Sequence, residues 1–261
     1  KFCGNYSLWS TLSICWGCGA NLHRTPYNAR NHEYYSEDAV LTSGQAVAFI
    51  SGGKEYGVII APKHLAFNDT EINRTGVSVF MTEQQARENE LRGTQAAIED
   101  AGALGVMTAF NRVGITATNA HTGLLKNILR GEWGFKGLES QDFIMNPNYA
   151  VLKEYALNGG TMTTFTGENT MAAVSEKFAY WTTENVGQDT ELMSAIKQAM
   201  TWQAYALANS NALDGMASST RLVSVRTWYD NALVAVQVVF AALTVLAAAM
   251  YVLNDRKSKK Q

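Results

Sequence analysis

The sequence predicts an α/β fold of the (β/α)8-barrel type, incomplete at its N-terminus and followed by a C-terminal transmembrane helix. Three observations lead there. Short β-rich runs alternate with helical stretches through the first two thirds of the chain, the pattern of parallel strands joined by crossover helices. Charged residues stand directly after several of those runs, where the strand ends of a barrel open onto a cleft. An almost unbroken apolar run, Ala232 to Leu253, lies near the C-terminus with Gln237 as its strongly polar interruption.

Taken in order, Ser13 to Leu22 alternates apolar and small residues as a strand and opens into the polar loop HRTPYNARNHEYYSED. Glu37 to Ile50 has helical spacing, with Ser36 as the cap and Gly52 and Gly53 as the stop. Tyr56 to Ile60 is a β-rich run that delivers Lys63 and His64. Val77 to Met81 reads as another strand, and Thr82 with Gln85 three residues on opens a long helix to Asp100 in a capping-box pattern. The apolar run Leu104 to Phe110 ends at Asn111, and Thr122 to Arg130 is an amphipathic helix. Gly137 to Gln141 forms a short segment closed by Asp142. A helix over Asn148 to Leu157, a run over Thr161 to Phe165, a helix over Met193 to Ala208 and a linker over Asn209 to Thr220 follow. About six strands are countable, so an eight-stranded barrel needs strands from before Lys1. The resulting division is 1–185 partial barrel, 186–227 helix and juxtamembrane linker, 228–254 membrane helix and 255–261 basic cytoplasmic tail.

The 261 residues carry a formal net charge of -2, and the pI near 6.1 leaves no broad basic face for nucleic acid. Cys3, Cys15 and Cys18 are too few for a disulfide framework. The CWGC spacing of Cys15 and Cys18 lacks the further ligands that zinc requires, so it reads as packing. Trp228, Tyr229 and Tyr251 flank the apolar run as interfacial aromatics, and Arg256, Lys257, Lys259 and Lys260 mark its cytoplasmic side. The large domain is therefore expected outside the cell membrane, bound to the bilayer by a single pass. With no visible signal peptide and Lys1 at its start, the chain is expected to be the C-terminal part of a longer polypeptide.

A cleft that binds a hydroxyl-rich ligand needs fixed charged or bidentate partners, because each buried hydroxyl left unpaired costs about 1 to 3 kcal/mol. Arg30, Lys63, His64 and Asp142 supply that chemistry. Glu139 does not join them: on a strand, side chains three apart point to opposite faces. Glu71 and Glu83 have no spacing that forces them into the cleft.

The segments LHRTPYNARNHEYYSED, APKHLAFNDTEINR, GALGVMTAFNRV and ILRGEWGFKGLESQDF, in this order, resemble the catalytic barrel of glycoside hydrolase family 3, the β-glucosidase and β-xylosidase family. The resemblance implies a retaining, exo-acting β-glycosidase without cofactor or metal, with Asp142 as catalytic nucleophile. Arg30, Lys63 and His64 would grip the hydroxyls of the non-reducing sugar of a β-linked oligosaccharide or glucoside. Phe110 and Phe143 complete the substrate-binding set at positions where relatives carry Tyr and Trp: the first loses a hydroxyl near the nucleophile, the second keeps a smaller apolar platform. Thr163 stands where relatives often have Asp. The family's glucosidases take the acid/base glutamate from an α/β sandwich domain, which has no room between Phe165 and the apolar run and is expected upstream or in another chain. The segment HLAFNDTEINR lacks the Gly-His-Gly loop of the N-acetylglucosaminidase branch. A non-catalytic sugar-binding module is the alternative.

Overall fold

The structure, a computed structural model, describes residues 14–143, 151–163, 181–213 and 228–258, the last of these with side chains as far as 252. It divides into two compact units, Lys1–Asp214 and Gly215–Gln261. Cys3, the stretch 164–180, the later part of the linker and the side chains of the basic tail lie outside the described residues.

In the first unit, strand β1 (Ile14–Cys15) leads through two 3-10 turns, Pro26–Asn28 and Asn31–Glu33, to helix α1 (Ala39–Lys54). Strands β2 (Ile59–Ile60), β3 (Lys63–Leu65) and β4 (Ser78–Val79) follow, then helical turns Glu83–Gln85 and Ala86–Glu90 that enter helix α2 (Arg92–Glu99). Next come β5 (Gly105–Thr108), β6 (Arg112–Val113), β7 (Thr116–Ala117), the wide helical segment α3 (Gly123–Glu132) and β8 (Leu138–Gln141). Helices α4 (Leu152–Leu157), α5 (Thr183–Gln188) and α6 (Thr190–Ala208) close the unit.

The principal strands are all parallel. β1 pairs with β2, and β3, β5 and β8 lie side by side in that order. Bridges from Gly19 to Lys63 and from Ser140 to Met162 extend the arc at both ends. Five strand positions separated by helices α1 to α4 thus make an arc of βα units. A small excursion of β4, β6 and β7 rises from the ends of β3 and β5. The core between strands and helices is apolar: Ile59, Leu65, Val106, Leu125 and Leu129 are at most 1% exposed. Each contributes about 1.5 to 3 kcal/mol of burial. Two helix-to-strand turns use the left-handed region open to glycine, at Gly57 (φ 69°) and Gly102 (φ 67°).

Several boundaries differ from the sequence reading for local reasons. Asp38, not Ser36, caps α1 by accepting from the Leu41 N–H at 2.6 Å, while the Ser36 hydroxyl accepts from the Asp38 N–H. The helix runs through Gly52 and Gly53 to Lys54, because a side chain at Gly53 would collide with Ile60. β8 is buried along its length yet polar, reading LESQ. The linker expected from Asn209 begins as a turn, Asn211–Leu213, whose Asn211 N–H donates to Gly57 O at 2.8 Å and whose side chain donates to Tyr56 O. Thr82 caps its helix as expected, accepting from the Gln85 N–H.

The second unit contains one long helix, α7 (Trp228–Ser258). Its portion Trp228–Val252 contains a stretch with a mean hydropathy of 2.4 and no buried residue, and is long and apolar enough to cross a membrane.

Candidate functional site

Parallel pairing sets Lys63 opposite Met107 and Thr108 opposite Gln141, so the C-terminal ends of β3, β5 and β8 share one edge. That edge brings together Lys63, His64, Phe110 and Asp142. Asp142, one residue past β8, is 8% exposed. Its Oδ1 accepts from the Phe143 N–H at 2.8 Å, and its Oδ2 lies 3.4 Å from His64 Nε2 and 3.9 Å from Arg74 Nη1. Burial pushes its carboxyl above the ordinary range, and the Phe143 N–H with Arg74, Arg30 and Lys63 works against that rise.

Around Asp142 the charges alternate. Arg30 sits at the entrance to the turn Asn31–Glu33, which sets Glu33 three residues on to receive Arg30 Nε at 3.0 Å and Nη2 at 2.7 Å. Lys63 Nζ reaches the same carboxylate at 3.3 Å. Arg30 Nη1 lies 3.3 Å from Glu71 Oε1, and Glu71 Oε2 lies 2.9 Å from Arg74 Nη1. Asn68 also donates to Glu71, at 3.0 Å. Burial works against the Arg30 charge, but the Glu33 hydrogen bonds and the surrounding carboxylates hold it above its ordinary value. The Arg30 hydrogen bonds hold Glu33 below the ordinary carboxylate range despite its partial burial.

His64 is fixed by Asn21, which donates to its carbonyl at 3.0 Å and accepts from its N–H at 2.7 Å. Burial, reinforced by Arg30, Lys63 and Arg74, drives its imidazole well below its ordinary value, so the ring is neutral. Nε2 then faces two incompatible neighbours, the Arg30 guanidinium at 3.2 Å and the Asp142 carboxylate at 3.4 Å. It serves the first with a lone pair or the second with a proton, but not both.

Phe110 is buried, and the Arg74 guanidinium covers its ring at 4.2 Å from the centroid. Phe143 is half exposed beside Asp142. Glu139 is fully buried away from this cluster, near Arg130, Tyr155 and Thr108, and burial pushes its carboxyl up to about 7. Cys18 is a core residue whose thiol burial pushes up to about 12, and Cys15 is partly buried beside the core. The sequence pattern does not single out Arg74 or Glu33, and Glu71, which has no spacing that forces it into the cleft, is nonetheless brought into this network by Arg30 and Arg74. The available signal was the three-residue spacing of Arg30 to Glu33 and of Glu71 to Arg74, the second pair within the segment that also holds Lys63 and His64.

Residues 12–175 match the family described as Glycosyl hydrolase family 3 N terminal domain. The chain belongs to glycoside hydrolase family 3. The match is to that family's N-terminal domain, so it lends no support to reading the chain as the C-terminal portion of a longer polypeptide. A β-glucosidase of Rhizobium radiobacter is 40% identical over 123 residues, 47% of this chain and 15% of that protein. The β-glucosidase BoGH3A of Bacteroides ovatus is 35% identical over 140 residues, 54% and 19%. The chain therefore spans less than a fifth of the length of these relatives. Among solved structures, a β-glucosidase from Paenibacillus barengoltzii is similar with TM-score 0.70 and 26% identity, over 81% of this chain and 23% of that one. β-glucosidase 3B from Thermotoga neapolitana in complex with glucose aligns with TM-score 0.67 and 27% identity, over 77% and 28%. The arc of parallel strands thus has the TIM-barrel-like fold of the family's N-terminal domain.

Proposed function

We propose that this chain carries the sugar-holding half of a retaining, exo-acting β-glycosidase, with β-linked glucose as the released sugar and Asp142 as nucleophile. The observation that carries the reading is the carboxylate of Asp142 at a strand end, flanked by three cations and a neutral imidazole. In the first step the Asp142 carboxylate attacks the anomeric carbon. The bond to the leaving oxygen breaks, and that oxygen takes a proton from an acid about 5 to 5.5 Å away. In the second, water attacks the glycosyl ester, loses its proton to the same residue and restores Asp142. A sugar hydroxyl between Arg30, His64 and Asp142 resolves the conflict at Nε2, since it accepts from a guanidinium or ring N–H and donates to a carboxylate.

The acid/base residue comes from outside this chain, from an α/β sandwich domain upstream or in another polypeptide. Among the described residues, Glu33 and Glu71 are the other carboxylates of the Asp142 network, and they are occupied by Arg30, Lys63, Arg74 and Asn68. That occupation also favours a second reading, a sugar-binding module without turnover. Labelling by a 2-fluoroglycoside in the intact enzyme separates them: wild type acquires a covalent adduct at Asp142 and Asp142→Asn does not. An adduct in both, or in neither while glucose still binds, removes Asp142 from the mechanism.

We further propose that Trp228–Val252 anchors the protein in the cell membrane, with the catalytic domain outside and the basic tail in the cytoplasm. The supports are the helix's length and hydropathy and the Arg256, Lys257, Lys259 and Lys260 cluster beyond it. Extraction of the full chain from membranes by alkaline carbonate would refute the anchor.

A further inference from the structure

We infer that Glu33 and Glu71 determine specificity, balancing the cations around Asp142 so that the site takes a neutral pyranose and turns away sugar acids. The inference rests on the sugar-site reading above. Lys63, Glu33, Arg30, Glu71, Arg74 and Asp142 form one alternating chain, each link between 2.7 and 3.9 Å. Three cations thus meet three carboxylates, with the neutral ring of His64 in their midst. Arg30 spends Nε and Nη2 on Glu33, and Lys63 leans on the same oxygen as Nη2.

A ligand hydroxyl adds no charge and leaves the balance intact. A uronate carboxylate adds a fourth anion where the guanidinium donors already serve two, and it meets Glu33, Glu71 and Asp142 as like charges. These side chains are 8 to 32% exposed, so neither water nor salt screens them fully. Replacing Glu33 by Gln leaves an acceptor oxygen for Arg30 but removes one negative charge, giving the cluster an excess of one positive charge. An excess charge at such distances is worth roughly tenfold or more in the affinity of an anion.

The test is calorimetry of the full chain with D-glucose and with D-glucuronate, on wild type, Glu33→Gln, Glu71→Gln and the distant surface control Glu99→Gln. Wild type and the control are expected to bind glucose and to take glucuronate at least about tenfold more weakly; either glutamine variant narrows that ratio by roughly tenfold. An unchanged ratio in both variants overturns the inference while leaving the sugar site standing. If glucose fails to bind wild type, the sugar-site reading falls instead. The charge balance is then decided by following the Asp142 carboxyl by NMR: its midpoint moves to lower pH in Glu33→Gln if the balance is real, and an unmoved midpoint overturns it.

Discussion

Glu139→Gln isolates a single buried charge behind the candidate site. The carboxyl is fully buried with neither oxygen in a hydrogen bond, and burial lifts it from an ordinary 4.5 to about 7 against the partial opposition of Tyr155, Arg130 and Thr108. Because the folded value lies above the unfolded one, its contribution to stability is fully present below about pH 4.5 and is lost as pH rises through about 7. At about 1.4 kcal/mol per unit, the loss by pH 8 is on the order of 3 kcal/mol. Glutamine imitates the protonated acid and cannot ionise. The variant should therefore match wild type within about 1 kcal/mol at pH 5 and exceed it by up to about 3 kcal/mol at pH 8. Urea titrations of both proteins at the two pH values measure this, and groups common to both cancel in the difference. A variant that loses more stability at pH 8 than at pH 5 would refute the reasoning, because it would mean that Glu139 is ionised and bound productively to Arg130.

Leu129→Ala, at a side chain with no exposed surface in α3, should cost about 2 to 5 kcal/mol and lower the urea midpoint without changing the slope. Phe110→Leu keeps the site apolar but withdraws the ring beneath Arg74; a loss of about 1 kcal/mol in stability and a downfield or upfield move of the Arg74 side-chain nitrogen signals, now free of the ring, should accompany it. Nitrogen-detected NMR of His64 should show a neutral ring at pH 6.5, where a free imidazole is about half protonated, since burial and three neighbouring cations all oppose a proton there; an imidazolium signal at that pH contradicts this. Asp38→Ala should destabilise by about 1 kcal/mol through loss of the α1 cap, read as a lower urea midpoint.

The positions of Lys63, His64 and Asp142 were legible because strand direction alone places them: once the β-runs are parallel, the residues after them share one edge. Glu139 was legible for the same reason, its three-residue offset from Asp142 carrying it to the helix side near Arg130 and Tyr155. Glu71 was not. It sits in the aperiodic excursion between β3 and β4, where no repeat fixes which way a side chain turns, and its place depends on Arg30 arriving from a separate loop. The cap of α1 was misplaced by two residues because Ser36 and Asp38 are both capping types. The decision lies in tertiary contacts, the Ser36 carbonyl being held by His23 and its hydroxyl by Asp38. Gly52 and Gly53 look like a helix stop in isolation, but the helix needs a bare backbone there to lie against Ile60.

The bonds from Asn211 to Tyr56 and Gly57 fix where the polypeptide leaves the first unit. Gly57 precedes β2, so the departure point is at the strand-start end, remote from the edge that bears Asp142. A tag, fluorophore or immobilising support attached just after Leu213 would accordingly start away from the strand edge that bears Asp142, whereas one grafted onto the hairpin of β6 and β7 would start beside it.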